Sequence, residues 1–130
     1  MVTSLGNDVP TNWQNLLQGK SGAGEITHFD ASKFKTRFAC EVKDLDVSHL
    51  FDPKQLRRYD RCIHYAFKSA DEAVQDAQID FTQENPLRCG VIYGSGMGGV
   101  NTLDVNIGNF GAGDGTPHYS PFFIPMIITN

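Results

Sequence analysis

Residues 90–100 read GVIYGSGMGGV: three large apolar side chains, then glycine at 94, 96, 98 and 99. This stretch limits the fold more than any other. Cys89–Gly94 has the near-continuous apolar character of a strand buried inside a parallel or mixed sheet. The glycines force a sharp turn, and Val100, Leu103, Ile107 and Phe110 then recur with helical period. Asn101, Asn106, Gly108 and Asn109 weaken that helix by propensity. The turn also satisfies G-x-G-x-x-G, which raises a nucleotide-binding α/β module using Gly94–Gly99. That motif needs an acidic residue about 20 positions on, at the end of a second strand. The residue at that distance is Asp114, inside the loop-like GAGDGT, and the turn comes late in the chain, behind a long helix. Two other readings stand beside it. The glycines can let the backbone turn and pass close to other segments. They can also keep a channel narrow, with Met97 the one protruding side chain, flexible and apolar.

Upstream, Thr11 is the expected N-cap of a short amphipathic helix carrying Trp13, Leu16 and Leu17, with Gly19 as its stop. Residues 21–34 read as loop, and partial alternation around Phe38, Cys40 and Val42 suggests a strand. Asp52-Pro53 starts a helical stretch that runs to about Gln78, broken and recapped at Asp60. Cys62, Ala66, Ser69, Ala70, Ala73 and Ala77 form a stripe of small residues along it, expected to pack hard against a sheet or another helix. Residues 79–88 and 111–121 read as loops. Helices alternating with buried strands predict an α/β fold in a single domain over 1–130.

A net charge of −4 argues against general nucleic-acid binding, and no apolar run reaches the length of a membrane span. The first residues lack the basic-then-apolar pattern of a signal peptide. Three cysteines without a C-x-x-C pair suggest reduced thiols in a cytoplasmic setting, expected to behave as small buried hydrophobes. The four histidines are scattered, so no metal is expected, and no cofactor. The tail SPFFIPMIITN is strongly apolar for a chain end. Either it docks into the domain's own core or further polypeptide covers it. The second is the expectation, since no strand opens the fold ahead of the first turn either.

Five stretches occur in order: LGNDVPTNWQNLLQGKSG, HFDASKFKTRFACEVKDL, RRYDRCIHYAFKSADEAVQDA, RCGVIYGSGMGG and SPFFIPMIITN. Together they resemble the N-terminal part of the condensing enzymes of fatty acid synthesis, the 3-oxoacyl-[acyl-carrier-protein] synthases, across essentially the whole chain. The resemblance implies a thiolase-like fold of two similar α/β halves in five layers, normally a homodimer. This chain would then be part of the first half, lacking its first strand and its nucleophile helix. It implies a cysteine that takes an acyl group from a thioester, and two histidines that assist decarboxylation of malonyl-carrier protein and Claisen condensation. That cysteine and both histidines are expected beyond Asn130, so no residue here is assigned a catalytic role and the chain alone is expected to be inactive. A ketosynthase of a polyketide pathway, or its chain-length partner, shares the front half and stays open as an alternative.

Carried over residue by residue, the resemblance puts Met97 at a gate of the acyl pocket and Phe123 and Ile124 at its closure. Ordinary core packing is the plain alternative for all three. Lys54, Arg57 and Arg58 stand at i, i+3 and i+4, the densest basic cluster of an acidic chain. The resemblance makes them a docking face for acyl carrier protein; otherwise they are a solvated helix face.

Overall fold

The computed structural model describes residues 1–128. Thr129 and Asn130, the end of the expected domain and of the apolar tail, lie outside the described residues. Seven regular elements and one 3₁₀ turn (Pro86–Arg88) follow in chain order, and the residues fall into two units, 1–46 with 68–76, and 47–67 with 77–128.

In the first unit, helix α1 (Val9–Leu17) begins one turn earlier than Thr11. Asp8 is the N-cap: its carboxylate accepts the Thr11 amide at 2.7 Å and the Thr11 hydroxyl at 2.9 Å. Pro10 fits the first turn, where its missing N–H is not needed. Gly19 ends the helix as expected, at φ +65. Its amide donates to Leu16 O and the Lys20 amide to Asn15 O, each at 3.0 Å, which closes a Schellman motif. The inward face of α1 is polar. Asn12 is 3% exposed, and its amide donates to Gly6 O at 2.8 Å and Asp8 O at 2.7 Å, while Thr3 bonds its carbonyl oxygen. Trp13, Leu16 and Leu17 are exposed, and Trp13 and Leu16 line a shallow groove with Met1, Leu5 and Val9. Strands β1 (Gly24–Glu25) and β2 (Phe38–Ala39) pair antiparallel, Gly24 opposite Ala39 and Glu25 opposite Phe38. This is the expected strand near Phe38, two residues long.

In the second unit, Asp52 and Gln55 form a reciprocal capping box at the start of α2 (Pro53–Leu56). Helix α3 (Arg61–Ala77) follows after the break expected at Asp60 and contributes to both units. Val47 and Phe51 are buried, and the Phe51 ring meets Tyr59, His64 and Phe67 with centroids 5.4, 5.4 and 4.9 Å away. The small-residue stripe of α3 is not packed hard: no residue of the helix is buried, and Ala70, Ala73 and Ala77 are exposed. Small side chains permit close approach but supply little apolar area to drive it.

Cys89–Gly94 does not form the expected strand. Among the described residues nothing pairs with it, and Val91 and Ile92 are 85% and 102% exposed. A strand needs a neighbour to take its amides and carbonyls, and apolar composition alone does not provide one. Helix α4 (Val100–Ala112) forms as the period predicts, yet Thr102 is its buried residue while Ile107 and Phe110 face outward. Helix α5 (Phe123–Ile127) completes the unit. The described residues thus combine helices with one small two-stranded sheet, and among them the parallel or mixed sheet of the sequence reading does not appear.

Candidate functional site

The glycine turn is held from both sides. The Gly98 amide donates to Ser95 Oγ at 3.0 Å, and Gly98 sits at φ +61. Gly99 is buried against α5: its amide donates to Ile127 O at 2.9 Å. A Cβ at this position would lie 2.1 Å from Met126 O, so only glycine allows the approach. Three positions on, the Asp60 carboxylate accepts both the Thr102 amide and the Thr102 hydroxyl at 2.8 Å. Asp60 is 4% exposed and Thr102 9%. A carboxylate belongs at a helix N-terminus, where the orphan amides and the helix dipole attract negative charge.

These contacts answer the nucleotide reading. A dinucleotide phosphate would use the free amides at the start of α4. Here Gly98, Gly99 and Thr102 are engaged as described, Val100 donates to Gly98 O at 2.9 Å, and Leu103 donates to Gly99 O at 3.0 Å. The Asp60 carboxylate takes the Thr102 amide, one of the donors a phosphate at this helix start would use.

Met97 projects from this turn and is 73% exposed. Phe123 is half-buried, its ring 5.0 Å from Tyr119, which in turn stacks at 6.3 Å on Phe110. Ile124 is 59% exposed. The Gly99–Ile127 bond therefore joins the turn bearing Met97 to the helix bearing Phe123 and Ile124, with the outer side chains of both open to solvent.

The basic cluster is less uniform than its spacing suggests. Helix α2 ends at Leu56, so Arg57 is its C-cap and Arg58 lies in the following turn. Lys54 and Arg57 are exposed. Arg58 is half-buried, its guanidinium 4.2 Å from the Phe122 ring centroid.

The cysteines correct the expectation of buried hydrophobes: Cys40 and Cys89 are exposed and only Cys62 is half-buried. Burial, then the neighbouring Asp60 charge, pushes the Cys62 thiol up, which keeps it from being a nucleophilic thiolate. Burial pulls His64 below its ordinary value against the opposing pull of Asp60, and its Nε2 is buried with no hydrogen-bond partner. Among the described residues no group of three or more His, Cys, Asp or Glu could hold a metal ion, and no helix is long and apolar enough to cross a membrane.

Residues 1–126 match the family described as "Beta-ketoacyl synthase, N-terminal domain". The chain belongs to the beta-ketoacyl synthase family. Similar curated proteins carry the name 3-oxoacyl-[acyl-carrier-protein] synthase 2. That of Vibrio harveyi is 38% identical over 130 residues, all of this chain and 31% of the relative. That of Staphylococcus aureus is 39% identical over 127 residues, 98% of this chain and 31% of the relative. That of Coxiella burnetii is 42% identical over 130 residues, again all of this chain and 31% of the relative. The chain spans about a third of the length of these beta-ketoacyl synthases. The sequence reading singled out Asp60 only as a helix break and missed Thr102. A buried bond between residues 42 apart leaves no local signal beyond a capping residue without an evident helix of its own.

Proposed function

We propose that this chain is the N-terminal part of a 3-oxoacyl-[acyl-carrier-protein] synthase that elongates fatty acyl chains. The carrying observation is the family match over residues 1–126, with 38% to 42% identity to synthases of that name across the chain. In this reading a cysteine thiolate outside the chain displaces the carrier thiol from an acyl thioester and becomes acylated. Loss of CO2 from malonyl-carrier protein leaves an enolate whose carbon attacks that acyl carbonyl. The new C–C bond forms as the cysteine thiolate leaves, giving a 3-oxoacyl thioester two carbons longer. Donors at the forming oxyanion and enolate supply the stabilisation.

This segment contributes walls and a landing face within a thiolase-like first half. Met97, Phe123 and Ile124 line the acyl pocket. The Gly99–Ile127 bond, which joins their two elements, supports this. Lys54 and Arg57, with Arg58 behind them, attract acidic carrier protein. Their exposure in a chain of net charge −4 supports that role. The active form is a cytoplasmic homodimer.

The test uses the complete polypeptide that contains this segment. With acyl-carrier protein as primer it releases CO2 from malonyl-carrier protein and forms the 3-oxoacyl product. Absence of primer-dependent product under conditions where a known synthase is active would overturn the reading.

A further inference from the structure

We infer that Asp60 is a positioning residue for the acyl pocket: through Thr102 it fixes the turn that carries Met97, and so sets which acyl chains the pocket admits. The inference rests on the acyl-pocket reading above.

Four of the six residues from Gly94 to Gly99 have no side chain. Such a segment does not define its own conformation, and its placement comes from its anchors. Within the turn, Ser95 Oγ holds the Gly98 amide. On the downstream side the anchors are Ile127 O on Gly99 and the Asp60 carboxylate on Thr102. Of these, only Asp60 supplies charge. Its two bonds are short and charge-assisted, both partners are buried, and the acceptor sits at the positive end of α4. Asp60 also opens α3, since its carbonyl accepts the Ile63 amide at 3.0 Å. One residue therefore ties the first turn of α4 to the start of α3. Four residues separate Met97 from Thr102, and α4 is regular from Val100 onward, so a shift of the α4 start carries the Met97 side chain with it. A carboxylate is suited to this task because it accepts two donors on one oxygen, whereas a hydroxyl or amide there bonds more weakly.

The experiment measures kcat/KM for hexadecanoyl and hexanoyl thioesters in the complete polypeptide and compares their ratio among variants. Asp60→Asn and Thr102→Val are expected to move the ratio in the same direction, by roughly tenfold, as small displacements of positioning groups do. The double variant moves it no further than the larger single change, because both remove one link. Thr102→Ser, which keeps both donors, holds the parent ratio. A purely structural role lowers both kcat/KM values together and leaves the ratio alone. Met97→Trp serves as the reference. If it shifts the ratio and Asp60→Asn and Thr102→Val do not, the positioning role is wrong and the pocket reading survives. If Met97→Trp itself leaves the ratio unchanged, the pocket reading fails and takes this inference with it. Should Asp60→Asn not accumulate as folded protein, Thr102→Val decides the question.

Discussion

The guanidinium of Arg58 lies over the ring of Phe122, 4.2 Å from its centroid. A residue of the basic cluster is thereby tied to the segment that leads into α5. Arg58→Lys is expected to lower stability by about 0.5–1 kcal/mol, since lysine lacks the planar group that stacks. Urea denaturation of the Arg58→Lys, Phe122→Leu and double variants measures the coupling directly, and a coupling near zero would refute the contact. If the proposed docking face is right, Arg57→Glu, at an exposed position, is expected to raise the KM for carrier protein and leave the urea midpoint in place; an unchanged KM would retire that role.

Gly99 and Gly96 make a matched pair. A Cβ at Gly99 meets Met126 O at 2.1 Å, whereas one at Gly96 meets nothing within 4 Å. Gly99→Ala is expected to cost about 1–3 kcal/mol, as overpacking does, or to push α5 off the turn. Gly96→Ala stays close to the parent. Thermal melting of both variants compares them, and equal melting points would contradict the close approach at Gly99.

The two ends of α1 are separable. Asp8→Ala removes the cap on the Thr11 amide and is expected to cost about 1 kcal/mol. Gly19→Ala places a Cβ on a left-handed residue and is expected to cost about 1–2 kcal/mol. Circular dichroism during urea unfolding reads both. No loss at Asp8→Ala would return the cap to Thr11.

Acid should destabilise the protein in two stages. Burial depresses His64, so the unfolded chain binds its proton first. Stability falls as pH drops below the ordinary 6.5 and levels once the folded value is passed. Glu41 follows lower down. The Thr27 hydroxyl at 2.8 Å and the Thr27 amide at 3.0 Å hold its carboxyl below the ordinary 4.5. Its contribution is complete above that value and is lost as pH falls through the folded one. His64→Phe should remove the first stage, and Glu41→Gln should shrink the second, to which Asp8, Asp30, Glu72, Asp80 and Asp114, also held below their ordinary values, contribute; urea midpoints across the pH range read both. An unchanged profile in either variant refutes the corresponding assignment.

Local chemistry in the sequence was legible. Asp52-Pro53 capped a helix where expected, Gly19 ended one, and the period from Val100 gave α4. Errors came where long-range partners decide. The N-cap moved from Thr11 to Asp8 because a carboxylate with two donors in reach outcompetes a hydroxyl. Val91 and Ile92 carry strand composition without a strand beside them. Leu103, Ile107 and Phe110 mark a helical period correctly, but the α4 face that is buried belongs to Thr102, whose partner Asp60 is remote in sequence. Of the candidate site, Met97 and the glycines were visible because they are unusual, and the carboxylate bonded to Thr102 was not, because aspartate before a helix is common.

Ile92, open to water over its whole surface, lies between Val91 and Tyr93 in a ribbon with no strand paired to it among the described residues. Such a ribbon is adhesive while a chain is still being made. The ribosome exposes it as soon as it emerges, so holdase chaperones are expected to grip newly made copies at this spot. Ile92→Asp is expected to weaken that grip and raise the recovered yield.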